Sequence, residues 1–161
     1  MRNISIYTDG SHLKHTTGRL GIGGVMVDDD TNTELGRFSE NLSIDWLKEN
    51  YGTSDVSNPT CEMLAALWAL MKFKKHIGPN DSVTLKADYT GVKAWCTGEW
   101  KINKPYIAKI KSDIDEETKR QSLVGRIMYE WIRGHQKDMN NPDVYWNSIV
   151  DALAKGQDPD I

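Results

Sequence analysis

Apolar and polar residues alternate at the start of the chain, with Ile4, Ile6 and Thr8 on one side and Ser5, Tyr7 and Asp9 on the other. A period of two predicts a β-strand that runs to a turn at Gly10-Ser11 and carries a carboxylate at its end. A polar stretch over 12–20 leads to a second strand, 21–27, whose glycines permit close backbone approach. Asp28-Asp29-Asp30-Thr31-Asn32 reads as a solvated hairpin turn, because consecutive residues on a tight turn cannot all face one cation. The chain returns over 33–42, which completes an antiparallel meander. Residues 43–59 mix Ile44, Trp46 and Leu47 with Gly52, Ser54 and Asn58-Pro59, and predict a connection holding about one helical turn.

Pro59 biases Asn58 toward an extended shape, and Thr60 is placed to cap a helix over 61–75. Met63, Leu64, Leu67, Trp68, Leu70 and Met71 give that helix a broad apolar face. A turn at 78–81 precedes a strand, 82–87, that ends at Asp88. Then come a helix over 89–97, a loop over 97–105 and a helix over 106–121. The last strand is expected over 124–132, with Ile127, Tyr129 and Trp131 on one face. A polar loop, 134–143, precedes a closing helix with Trp146, Ile149, Val150 and Leu153 in its stripe, and 156–161 is a short tail. This order predicts an α/β fold: a five-stranded mixed sheet, an antiparallel meander and then parallel strands, flanked by helices.

Length changes the picture little, since 161 residues suit one domain, 1–161. With 39% hydrophobic and 27% charged residues the chain reads as an ordinary soluble globular protein with no membrane role. Met1-Arg2-Asn3 leads straight into the first strand, so no signal peptide is expected and the chain is assigned to the cytoplasm, as a monomer. Cys61 and Cys96 lack metal-ligand spacing and read as reduced packing residues. The net charge of −3 argues against tight non-specific nucleic-acid binding. Lysines 93, 101, 104, 109 and 111 nevertheless suggest a local basic patch.

Four acids carry the chemistry: Asp9, Glu62, Asp88 and Asp151. Each has an ordinary reading of its own. Asp9 fits turn chemistry, Glu62 the dipole of a first helical turn, Asp88 an N-cap, and Asp151 a pair with Lys155 at i+4. The predicted topology puts Asp9 and Asp88 at the same carboxyl edge of the sheet, within reach of Glu62. Carboxylates gathered there repel unless a cation neutralises them, and hard oxygen ligands point to Mg²⁺ or Mn²⁺. Two such ions suit phosphoryl displacement, one activating water and the other stabilising the leaving oxygen.

Tyr7-Thr8-Asp9-Gly10-Ser11, Glu62 in Thr-Cys-Glu-Met-Leu-Ala-Ala-Leu, Ala87-Asp88-Tyr89-Thr90, Gly134-His135 and Asn147-Ser-Ile-Val-Asp151 together resemble the type 1 ribonuclease H family, in its order and over nearly the whole chain. The resemblance implies a single RNase H-like domain in which Asp9, Glu62, Asp88 and Asp151 hold two Mg²⁺ ions. The substrate would be an RNA/DNA hybrid whose RNA strand is hydrolysed to 5′-phosphate and 3′-hydroxyl ends. His135 would match the family's mobile histidine, against a plain reading as a surface-loop His. Backbone at Gly10 and Ser11, the Asn58 amide and Thr90 are the positions it offers for sensing a 2′-hydroxyl. Ser57 would meet a DNA phosphate. Trp100, Lys101 and Lys104 would grip substrate, or else anchor their loop while the lysines stay solvated.

The chain departs from the family pattern at Ser148, where the family has Glu, and in long segments before Asp151 and over 43–59. No N-terminal hybrid-binding module is expected, so affinity must reside in this domain. A non-catalytic hybrid-binding module, or a general nuclease of the resolvase or integrase type, is the competing reading.

Overall fold

Central in the sheet is β1 (Asn3–His12), flanked by β2 (Arg19–Asp28) and β4 (Ser82–Ala87), with β3 (Thr33–Ser43) and β5 (Ile127–Trp131) at the edges. β1, β2 and β3 pair antiparallel, whereas β4 runs parallel to β1 and β5 parallel to β4, the expected mixed topology. The structure is a computed structural model that describes residues 1–13 and 18–160. Part of the polar link over 12–20 and the last residue of the tail therefore lie outside the described residues.

The alternation in β1 has a different meaning from that of a half-solvated strand, because both of its faces are buried. Ile4 and Ile6 join the core under α2 (Asn58–Phe73), while Tyr7 joins Val25, Val27 and the apolar stripe of α5 (Pro142–Ala154) behind the sheet. α4 (Pro105–Arg120) closes the first layer through Ile107, Ile110 and Ile114, and α3 (Thr90–Cys96) packs near β5. Two ties fix α5: the Trp146 indole donates to Asn32 Oδ1 at 2.8 Å, and Asp143 accepts from Tyr7 and Lys86.

Several local expectations are corrected. Gly10-Ser11 is no turn: β1 continues to His12, and a Cβ on Gly10 would lie 2.3 Å from the Cys61 carbonyl carbon, so glycine is needed for contact with α2. Residues 43–59 hold an eight-residue helix, α1 (Ile44–Tyr51), capped by Ser43 Oγ and ended by Gly52 at φ 67°. α2 starts at Asn58, with Ser57 in place of Thr60 at the cap position but without a capping side-chain hydrogen bond, because Pro59 lies in the first turn, where its missing N–H costs nothing. Asn58 is therefore helical and Glu62 lies one turn further in than expected. β5 begins at Ile127, after left-handed Ser122 and Gly125, and Trp131 remains 45% exposed. The Asp28–Asn32 turn is solvated as expected, with Asp28 accepting from the Asp30 N–H.

Both cysteines are unpaired thiols, and burial pushes each up to about 12. No helix among the described residues is long and apolar enough to cross a membrane.

Candidate active site

The parallel ladder between β1 and β4 ends at the pair Thr8–Ala87. Asp9 and Asp88 are the next residue on each strand, so strand register delivers both carboxylates to the same edge. α2 supplies the third, for Gly10 N–H donates to Glu62 Oε1 at 2.9 Å. One carboxylate oxygen from each of Asp9, Glu62 and Asp88 lies within 4.8 Å of the others. Asp88 is not the cap of α3; that position belongs to Tyr89.

Asp88 is held from three sides. Its carbonyl accepts from the Trp131 indole at 3.0 Å, its Oδ2 accepts from Asn147 Nδ2 at 3.3 Å, and Gly134 packs so closely that a Cβ there would lie 2.9 Å from Oδ2. In the sequence Asn147 stands only as the first residue of the motif that ends at Asp151, with no role of its own. Its position one helical turn before Asp151, on the same face of α5, is the signal that could have found it.

Asp9 is 5% and Glu62 3% exposed, and among the described residues no lysine or arginine forms an ion pair with Asp9, Glu62 or Asp88. Burial, reinforced by Asp88 and Asp151, raises the Asp9 carboxyl to about 7, opposed by the adjoining Glu62 carboxyl. Glu62 is pushed well above the carboxylate range, chiefly by burial and then by Asp9. Asp88 is raised as well, by burial against the opposing Asn147 hydrogen bond. Glu62 Oε2 is buried without a hydrogen-bond partner. An orphaned carboxylate oxygen among three clustered acids is the environment a hard divalent cation satisfies, so this donor set fits Mg²⁺ or Mn²⁺.

Asp151 lines the same cavity of about 440 Å³, but its Oδ2 is held by Lys155 Nζ at 2.9 Å, the i+4 pair. It stands beside the triad without joining it. His135 lines that cavity too, from a loop in which it adopts a left-handed φ of 55°. Gly10, Ser11 and Asn58 are at the cavity wall, although the Gly10 N–H is already engaged by Glu62. Ser57 and Thr90 are exposed nearby and do not line it.

Trp100 is 45% exposed and meets Trp95 edge-on, 5.9 Å between ring centroids. Lys101 and Lys104 line a separate, mainly apolar cavity with Tyr89 and Trp95. The expected basic patch is largely neutralised: Lys104 lies 3.5 Å from Asp55, Lys93 3.8 Å from Glu99 and Lys111 2.6 Å from Asp115. Asp55, held well below the usual carboxylate range by hydrogen bonds from Tyr106 and Ser57 against its partial burial, was not foreseen as the partner of Lys104.

The family model for RNase H matches residues 1–158. The chain belongs to the RNase H family. Among solved structures, this RNase H chain is similar to the N-terminal RNase H domain of a Mycobacterium tuberculosis protein, at 20% identity and a TM-score of 0.70, covering 96% of this chain and 98% of that one. LC11-RNase H1, isolated from compost by a metagenomic approach, is also 20% identical, with a TM-score of 0.71 over 97% of this chain and 95% of that one. The same LC11 protein has been solved in complex with an RNA/DNA hybrid. The prototype foamy virus protease-reverse transcriptase matches 97% of this RNase H chain with 21% of its own length, at 20% identity and a TM-score of 0.70. At these identities the likeness establishes the fold. No curated protein matches by sequence.

Asn147 gives a test of how Asp88 is held. Groups that orient a ligand are worth roughly 10- to 100-fold in metal affinity or activity, so Asn147→Ala is expected to weaken Mg²⁺ binding by about tenfold. Calorimetric titration measures it, and an unchanged Kd would show that Trp131 and Gly134 suffice.

Proposed function

We propose that this protein is an endonuclease that hydrolyses the RNA strand of RNA/DNA hybrids, leaving 5′-phosphate and 3′-hydroxyl ends. The observation that carries the proposal is the cluster of buried Asp9 and Glu62 with half-buried Asp88, with an unpartnered oxygen on Glu62 and, among the described residues, no lysine or arginine in an ion pair with it. A module that only bound hybrid would gain nothing from uncompensated negative charge facing phosphates.

Asp9, Glu62 and Asp88 would hold a pair of divalent cations, with Asp151 at the edge of the same cavity as the further carboxylate they could draw from Lys155. Bound there, the cations supply charge stabilisation to an in-line displacement at phosphorus. Water attacks the phosphorus and the P–O3′ bond breaks, so the phosphate stays on the 5′ end of the downstream fragment. Glu62 is kept in place by the Gly10 N–H, and Asp88 by Asn147 and Trp131. His135, at the mouth of the cavity, takes or returns a proton at the leaving or attacking oxygen. Ser11 and Asn58, at the cavity wall, read the 2′-hydroxyl, and Ser57, at the start of α2, meets a DNA phosphate. Trp100, exposed beyond α3, packs on sugar.

Purified protein with Mg²⁺ is expected to cut the labelled RNA of a hybrid into 5′-phosphorylated fragments and to spare double-stranded DNA. Equal cutting of both duplexes would instead support a general nuclease. Hybrid binding that persists in EDTA without any cleavage would support a binding module.

A further inference from the structure

A second cavity, of about 200 Å³, opens beside the acidic one and shares Asp88, His135 and Asp151 with it. Its far wall is formed by Arg133, Gln136 and Ser148. The volume is below that of most small-molecule sites, so this space suits one part of a ligand whose remainder occupies the larger cavity.

Arg133 is the cation of this wall. Although Asp88 and Asp151 line the same cavity, Arg133 forms no ion pair with any carboxylate among the described residues. Lys155, the nearby alternative, lines the larger cavity and not this one. A polyanionic strand lying across the acids brings a second phosphate toward Asp88 and Asp151 as well as the one being cut. That phosphate needs a positive partner. A guanidinium presents its donors as a fork matched to two phosphate oxygens, and its weak hydration lowers the cost of meeting them.

We propose that Arg133 forms an RNA-strand subsite beside the cleavage site, binding the phosphodiester adjacent to the one that is hydrolysed. The proposal rests on the nuclease reading for the identity of the strand. Its test separates the two.

Binding to an uncleaved hybrid is measured first, without divalent metal, across a salt series for wild type, Arg133→Gln and Arg133→Lys. Removing one phosphate contact is expected to weaken binding roughly tenfold and to lower the slope of log K against log salt by about one, and lysine is expected to restore the slope more than the affinity. Cleavage kinetics then follow: Arg133→Gln is expected to raise KM with a smaller change in kcat. A set of hybrids, each with one RNA phosphate replaced by a neutral methylphosphonate, locates the contact. Neutralisation at a single position next to the cut is expected to weaken wild type while leaving Arg133→Gln unaffected.

An unchanged salt slope in Arg133→Gln overturns the subsite, as does a loss that adds to the mutation at every neutralised position. Wild type that binds hybrid but never cuts it overturns the nuclease reading, and the salt slopes still decide on Arg133. Wild type that neither binds hybrid nor cuts it with Mg²⁺ overturns both.

Discussion

Asp9→Asn is expected to lower hybrid cleavage by about a thousandfold or more while making the metal-free protein more stable at pH 8. The loss of activity follows from the proposed mechanism, in which Asp9 is a cation ligand; a thousandfold is roughly 4 kcal/mol of transition-state stabilisation, within what bound divalent ions supply. The gain in stability follows from the sign of the shift. The Asp9 carboxyl rises from 3.8 to about 7 on folding, mainly through burial and then through Asp88 and Asp151. A raised acid binds its proton more tightly in the folded state than in the unfolded one. Stability is therefore retained below about pH 4, declines as pH rises toward 7, and stays reduced above it. Three units correspond to about 4 kcal/mol as an upper bound, which Asp9 shares with Glu62.

Thermal melts in EDTA at pH 5 and pH 8 check both halves. Wild type should melt lower at pH 8, Asp9→Asn should lose less between the two, and Mg²⁺ should rescue wild type far more than the variant. A chain of this size changes its Tm by about 2–4 °C per kcal/mol, so the difference is measurable. Equal pH dependence in the two proteins would mean that the acids are not packed as described.

Gly10→Ala is expected to be the most damaging small substitution near the site. The added carbon would fall 2.3 Å from the Cys61 carbonyl carbon and 2.4 Å from its oxygen. Both are backbone atoms, so no rotamer change relieves the contact and β1 must part from α2. Overpacking of this kind costs about 3 kcal/mol or more, equivalent to roughly 6–12 °C in Tm. Separation also lengthens the Gly10 N–H to Glu62 hydrogen bond, so cleavage should fall further than stability alone explains. Differential scanning calorimetry and a hybrid cleavage assay at 20 °C measure the two effects, and a Tm within 2 °C of wild type would sink the packing argument. Gly21 poses the same problem against α5, where a Cβ would fall 1.8 Å from the Ala154 carbonyl oxygen.

The triad was legible because its residues follow rules that act locally. Alternation identified β1 and β4, an acid follows the last paired residue of each, and parallel pairing puts those two positions together. Glu62 was legible through the apolar periodicity of its helix. What escaped the sequence depends on distant partners. α1 is only eight residues long and is anchored at a distance, by fully buried Leu47 and by Trp46, which meets Trp68 of α2 edge-on at 5.0 Å. Gly10 looked like a turn because nothing beside it in sequence reveals the Cys61 backbone against it. Lys104 looked free because Asp55 is remote in sequence. Asn147 was hidden within an apolar stripe, where an amide has no evident purpose until Asp88 is seen beside it.

Helix α5 lies across the back of β1 and β2, near the opposite end of the chain from the strand that bears Asp9. A ribosome therefore makes Asp9, Glu62 and Asp88 long before it makes Asn147 and Asp151. Until that helix has emerged and docked, a nascent chain carries the acidic cluster without the amide that holds Asp88.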